Sequence, residues 1–397
     1  VFGWGVLKEI VMKDRPRIVV LGGGTGGTLI ANLLVKKLSA RDAQVTLLSN
    51  SARHLYQPGW LYVPFGWQDP RGLSRSLKSL LNKRVQLEIG TVAGLNVDKR
   101  QIKLEDNGRA ATVEYDYLVI ATGSRVTPED VPGLAEGAHH FYTEEAAFKL
   151  HAALEEFQGG RIVVGVGGLP HKCPVAPLEF TFLLDEFLTR KGIRDCTQIT
   201  YTYPINRAFS IESVSEMVTP LLQERGIGLE TFFNLENVDV DRKVAVAMEG
   251  TELEYDLLVM IPPHRGARFL EGTPIADEQG WVFTDRETLQ VRDHPEIFVL
   301  GDATNLPISK AGSTAHFEAP VIAERLSATI QSRPIDLRHA IYNGKVTCFL
   351  ESGFEKASIL AFDYDNPPKP PAPNWLYHYE KMAFNKAYWY LVPTGVI

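Results

Sequence analysis

Three cysteines among 397 residues, at positions 173, 196 and 348, are too few to staple a secreted disulfide scaffold. No run approaches the roughly 18 consecutive apolar residues of a spanning helix, which excludes a polytopic membrane protein. Excess positive charge is also missing. With 41 basic and 48 acidic residues the formal charge is −7, which argues against a general nucleic-acid binder. Nor is the chain polar enough to stay unfolded, since 45% of its residues are apolar and only 22% charged. Its length leaves room for two or three domains with full cores. Residues 1–11 (VFGWGVLKEIV) lack a basic leader and a small-residue cleavage site, so they are not read as a signal peptide and are set apart from the fold.

What is present is a strand–glycine–helix pattern. Residues 17–21 (RIVVL) read as a buried parallel strand, Gly22–Gly27 as a tight turn, and Ile30, Leu34 and Leu38 repeat at helical spacing before a second strand at 44–48. Gly22-x-Gly24-x-x-Gly27, with Thr25 and Gly26 between, sits where a strand gives way to a helix. There the glycines let the backbone approach a pyrophosphate, and the helix amino end offers free N–H groups. The residue closing the second strand is usually acidic, to hold a ribose. Here it is Ser49, followed by Asn50, a neutral hydrogen-bonding pair.

Further strands are predicted at 116–121, 161–168, 198–203, 256–261 and 297–302, with helices over about 176–190 and 313–330. The first of these strands runs into Ala121-Thr122-Gly123 and the last into Gly301-Asp302, which returns the chain to the first glycine turn. Val92 and Gly312 are placed on the same cofactor. An aspartate after such a strand can hold the ribityl hydroxyls of a flavin. The fold class is therefore α/β, with two Rossmann-like domains, the second inserted in the first. The expected boundaries are 13–125 and 270–335 for the first domain, 126–265 for the second, and 336–397 for a C-terminal region. The paired motifs resemble the two-dinucleotide-domain flavoproteins, which implies FAD.

The second glycine turn departs from a pyridine-nucleotide site. It reads Gly165-Val166-Gly167-Gly168-Leu169-Pro170-His171-Lys172-Cys173-Pro174, with Pro170 at the third glycine position and a cysteine where phosphate would sit. Cys173 stands just before a predicted helix amino end, where the dipole favours thiolate, and His171 and Lys172 can act the same way. Cys348 lies in a predicted strand (KVTCFL), and Cys196 is read as a small buried residue.

The segment Gly-x-Gly-Gly-x-Pro-x-x-Cys-x-x-Ala-x-x-Glu at 165–179 resembles the active-site segment of sulfide:quinone oxidoreductases, as do 56–59 (YQPG), 260–263 (MIPP) and 345–350. The wider flavoprotein resemblance covers residues 16 to about 335, and this narrower one rests on the four segments. It implies that Cys173 and Cys348 face each other beside the isoalloxazine, joined by a disulfide or sulfur bridge. Sulfide attack would leave a persulfide on Cys173, and the freed Cys348 thiolate would add to the flavin before electrons pass to a membrane quinone. Many members carry a third cysteine between the Ala-Thr-Gly motif and the second glycine motif. None occurs between Gly123 and Arg161.

The resemblance also places Lys310 near the flavin's pyrimidine end, where a cation and the following helix would stabilise reduced flavin. Glu179 reads either as a base near the sulfur bridge or as a partner of the helix dipole, while His171 and His264 are acid–base candidates. No metal site is expected.

Residues 366–373 (NPPKPPAP) form a proline-rich spacer. The tail after it carries Trp375, Tyr377, Phe384, Tyr388, Trp389 and Tyr390 with Lys381 and Lys386, the pattern of a helix lying in a membrane interface; docking on the protein's own core is the alternative. Phe349, Phe354 and Trp389 are candidates for a quinone wall. Expected partners are sulfide, a membrane quinone, a bilayer surface and a second copy of the chain, with no nucleic acid, which describes a peripheral, monotopic protein. Rival readings are a sulfide dehydrogenase feeding a cytochrome, a type II NADH:quinone oxidoreductase, and a flavin redox sensor without turnover.

Overall fold

The computed structural model describes residues 15–106 and 109–396. Residues 1–11, set apart above, lie outside them. The β-branched run at the start forms β1 (Arg17–Leu21), whose Ile18–Leu21 are buried on both faces, as a central strand of a parallel sheet requires. The glycine turn leads into α1 (Thr25–Lys37) and then β2 (Gln44–Ser49). With β3 (Val85–Ile89), β4 (Tyr117–Ile120) and, far along the chain, a strand at 294–299, these make a sheet in the order 294–299, β4, β1, β2, β3. A short antiparallel strand at 290–291 closes its edge.

Between β4 and that returning strand the chain builds a second sheet. It comprises β5 (Gly160–Val166), β6 (Thr197–Tyr203), β7 (Gly228–Thr231) and β8 (Leu257–Ile261), all parallel, in the order β7-β6-β5-β8. Helix α2 (Ala176–Lys191) follows β5, and it is buried along its length from Ala176 to Leu188. The returning strand is β9 (His294–Val299), and α3 (Gly312–Ile330) comes after it. Then a hairpin, β10 (Val346–Gly353) and β11 (Lys356–Phe362), lays its first strand on α2 and α3.

The tail corrects one expectation. Helix α4 (Trp375–Leu391) is docked on the protein. His378, Lys381, Asn385, Tyr388 and Val392 recur every three or four residues, and this stripe turns inward. Lys381, read as part of an interfacial helix, is buried with its ammonium beside the Glu179 and Glu351 carboxylates. Trp375, Leu376, Tyr379 and Tyr390 remain exposed, within an arc of about 100° at 3.6 residues per turn. The proline-rich spacer is pinned as well, by Ser213 Oγ donating to Pro368 O (2.6 Å) and Ser358 Oγ to Pro371 O (2.7 Å). Among the described residues no helix is long and apolar enough to cross a membrane.

Candidate active site

The parallel register brings the carboxyl ends of β1, β2 and β4 level, with Leu21 paired to both Leu48 and Ile120. Ligands bind in the crevice above such ends. The predicted cofactor residues gather there. Gly22 has φ +109°, and a Cβ on it would lie 2.3 Å from Ala121 O; one on Gly27 would lie 1.8 Å from Gly22 O. Only glycine lets the turn close this tightly. Gly26 packs on Leu300 and Ala315, Ser124 Oγ donates to Asp302 Oδ2 (3.3 Å), and the Gly90 N–H donates to Ser49 O (2.9 Å), which brings Val92 alongside.

This cradle fits a bound dinucleotide. A Cβ at Gly24, Gly123 or Gly312 would meet no atom within 4 Å, and Thr122 Oγ1 is buried without a hydrogen-bond partner. At the second glycine turn Gly165 lies within β5, where a Cβ would meet Thr202 Oγ1 on β6 at 1.8 Å, and Gly168 abuts Pro263.

Cys173 lies three residues before α2 at φ +48°, a strained value for a non-glycine residue. Its backbone is held on both sides: the N–H donates to Lys310 O (2.6 Å), and the carbonyl accepts from Tyr142 Oη (3.1 Å) and Ala176 N (3.0 Å). Cys348 comes from β10 as that strand crosses α2 and α3. Each thiol is partly buried, and the Glu179 charge reaches both. Here the expectation of a dipole-activated thiolate is corrected. Burial outweighs the helix dipole and pushes Cys173 well above its ordinary value and Cys348 up to about 11. The Ser313 hydroxyl beside Cys348 offsets only part of this. Cys196, expected to be buried, is exposed at the start of β6.

Lys310 lies at the Asp302 turn. Its ammonium donates to Asp302 O (3.0 Å) and Thr304 O (2.7 Å) and stacks 3.9 Å from the Trp281 ring centroid, and burial pulls it down to about 8. It ties the Cys173 loop to the Asp302 turn. His171 and His264 are buried and held neutral by that burial, at about 4 and about 2. Each places Nδ1 on a carbonyl, Lys172 O (3.1 Å) and Pro262 O (2.9 Å), so Nδ1 carries the proton and Nε2 the lone pair. Neither is a strong base near neutral pH. A cavity of about 940 Å³ opens beside this loop, walled by His171, Pro174, Tyr203, Trp281, Lys310 and Tyr364.

Glu179 belongs to a buried cluster. Its Oε1 accepts from Lys381 Nζ (2.5 Å) and from the Glu351 N–H (2.8 Å). Glu351 lies 4.0 Å from Lys381 Nζ and accepts from Tyr62 Oη (3.2 Å) and His378 Nδ1 (3.0 Å). Two carboxylates share one ammonium, so burial lifts Glu179. Lys381 stays well above its ordinary value because Glu179, Tyr62 and Glu351 outweigh its own burial. Further along α4, Tyr388 Oη meets Thr25 Oγ1 (2.8 Å) and His54 Nε2 (2.8 Å), and His54 Nδ1 reaches Gly23 O (2.9 Å).

The three expected quinone-wall residues do not converge. Trp389 is buried against His54 and Tyr56 under the Arg75 guanidinium. Phe354 is exposed at the hairpin tip over Arg225, roughly 20 Å along the strand from Cys348 at 3.3 Å per residue. Phe349 follows Cys348 directly and points to the other face of the hairpin.

Glu318, on α3, carries a separate prediction. One carboxyl oxygen accepts the Gly301 N–H (2.5 Å), the other is unpaired, and burial lifts the group to about 8. The folded chain therefore holds this proton to higher pH than the unfolded chain does, so stability is lost as pH rises from the ordinary carboxylate range through about 8. Glu318→Gln is expected to be neutral near pH 5 and to gain a few kcal/mol above pH 8, at roughly 1.4 kcal/mol for each tenfold change in proton affinity, read as Tm at both pH values.

Residues 16–319 match the family model of the pyridine nucleotide-disulphide oxidoreductases. The chain belongs to that family. Over 368 residues this oxidoreductase is 29% identical to the mitochondrial sulfide:quinone oxidoreductase of Mus musculus, covering 90% of this chain and 80% of that one. It is 25% identical over 398 residues to the type II NADH:quinone oxidoreductase of Haemophilus influenzae, covering 88% of each. Its fold matches the crystal structure of the sulfide:quinone oxidoreductase from Aquifex aeolicus with a TM-score of 0.84, at 23% identity over 96% of this chain and 92% of that one. The cofactor of this oxidoreductase is FAD, and the open cradle above β1, β2 and β4 fits it. Glu351, His378 and Tyr142 escaped the sequence reading, although the 378–381–385–388 spacing within an aromatic tail was a visible sign of an inward polar stripe.

Proposed function

We propose that this oxidoreductase oxidises sulfide to sulfane sulfur and reduces a membrane quinone, with Cys173 and Cys348 as its sulfur-exchange pair. The observation that supports the reading is that Cys173 stands just before α2 and Cys348 on β10, the strand packed against α2, both partly buried and both within reach of the Glu179 charge. In the working form the two sulfurs are bridged. A bridge has no proton to lose, so burial that opposes free thiolates does not oppose it. Sulfide forms a bond to Cys173 Sγ as the bond toward Cys348 breaks. The persulfide and the Cys348 thiol then rejoin with the added sulfur retained, which releases two electrons and two protons. FAD, when bound, takes that electron pair and passes it to the quinone. Tyr142, Ala176 and Lys310 hold the Cys173 backbone in its attack position, and the cavity beside His171 is the route for sulfide. The exposed Trp375, Leu376, Tyr379 and Tyr390 supply a face for lipid, where a quinone would be found.

Stopped-flow absorbance of the holoprotein tests this. Sulfide is expected to bleach the flavin band and a short-chain quinone to restore it, with NADH inert. Bleaching by NADH and not by sulfide would assign the protein to the NADH type instead.

A further inference from the structure

Each sulfur added to the bridge leaves two protons in an enclosed site: hydrogen sulfide and a Cys173–S–S–Cys348 bridge give Cys173–S–S–S–Cys348, two protons and two electrons. Two S–S bonds form and one breaks, and the electrons go to FAD under the reading above, on which this inference rests. The protons need an exit, because burial makes a free charge at either thiol costly.

A row of side chains leads away from the pair. Glu179, in the first turn of α2, is near enough to both cysteines for its charge to act on them. From its Oε1 the row runs 2.5 Å to Lys381 Nζ, 4.0 Å on to Glu351 Oε1, and 3.0 Å from Glu351 Oε2 to His378 Nδ1. The side chains of Glu179 and Glu351 are 3% and 1% exposed, that of Lys381 10% and that of His378 18%, so only the imidazole meets solvent appreciably. The cluster has a carboxylate, an ammonium, a carboxylate and an imidazole in series, and each donor lies beside an acceptor. Burying four such groups is expensive unless they are paired, and a Leu or Met in their place would pack at lower cost.

We infer that Glu179, Lys381, Glu351 and His378 form a proton path from the cysteine pair to the surface, with His378 as its outer end. His378 acts through Glu351 and does not touch substrate, so it is a positioning and relay residue. The charged groups facing it are Glu351 and Glu355 from the hairpin and Lys381 from its own helix. Its bond to Glu351 raises its proton affinity, which suits a group that collects a proton from inside and yields it to water.

The test uses holoenzyme with His378→Asn and His378→Gly. Sulfide-driven bleaching at neutral pH is expected to slow by at least about tenfold in both, a modest part of the range for assisted proton transfer. Added imidazole should restore the glycine variant, and quinone reoxidation of chemically reduced enzyme should be unchanged. A pH indicator should show proton release lagging in the variants. Wild-type bleaching rates in the variants would overturn the path, and so would a loss that imidazole does not restore. A second measurement separates this from the sulfide reading. A jump of the reduced protein to alkaline pH, followed by ultraviolet thiolate absorbance, reads proton exit from the cysteines without sulfide or turnover. If sulfide fails to bleach wild type, the functional reading falls. The path is then upheld by slower thiolate formation in the variants and overturned by equal rates.

Discussion

Cys348→Ser is expected to leave the flavin absorbance band in place and to cut sulfide-driven bleaching by at least about a thousandfold, the scale on which loss of an essential reacting group is felt. Serine matches the thiol closely in size and sits partly buried in β10 between α2 and α3, so the fold should tolerate it. It cannot share a bond with Cys173 Sγ, and sulfide then has no S–S bond to attack. A free Cys173 gives little compensation, because its burial keeps it a thiol at neutral pH. Cys173→Ser should fail equally. The double variant should be no worse than either single one, since the two sulfurs act as a unit. Cys196→Ser is the control: that thiol is exposed and bonded to Ile193 O (3.2 Å), and its loss should change neither step. Mass spectrometry of the wild-type protein after sulfide treatment should find added sulfur between 173 and 348. An unmodified pair, or a fully active Cys348→Ser, would end the sulfur-bridge reading.

Lys381→Met should be the most damaging single change to stability, at about 3–5 kcal/mol, the usual cost of stranding the partner of a buried ion pair. Methionine follows the shape of the lysine stem, so packing is largely preserved. What is lost is the cation between Glu179 and Glu351, both almost wholly buried. The loss should grow with pH. Burial already lifts Glu179, and without Lys381 its folded-state affinity for a proton rises further. Stability is therefore fullest at low pH, where the carboxyl is protonated, and falls as pH climbs through the folded value. Adding Glu179→Gln should recover part of the loss, a coupling of about 0.5–3 kcal/mol in a double-mutant cycle. Urea midpoints at constant slope, near pH 5 and near pH 8, provide the measurement.

The elements that sequence made legible are those with local grammar. β1, the glycine turn and α1 follow from a β-branched run, glycines at fixed spacing and a helical apolar repeat, and α2 and α3 begin within a residue of their expected starts. The departure of the second glycine turn from a pyridine-nucleotide pattern was visible in Pro170 and Cys173. What local pattern could not convey was the state of a side chain that depends on distant neighbours. A helix amino end argues for a thiolate at Cys173, yet enclosure by Tyr142, the Lys310 loop and β10 reverses the sign. The carbonyls of Asp302 and Thr304 that hold the Lys310 ammonium leave no local pattern either. Lys381 reads as a surface lysine in an aromatic tail, and its partners lie 202 and 30 residues away in sequence.

The contact of Tyr388 with Thr25 and, through His54, with Gly23 joins positions 363 residues apart. A ribosome makes the glycine turn long before its clasp. The turn and its first sheet also wait for β9, since that strand is parallel partner to β4 and is made only after the whole second sheet. Such distant pairings are slow to form and exposed in the meantime. The surroundings of the nucleotide pocket are therefore completed late in synthesis, only after α4 has emerged.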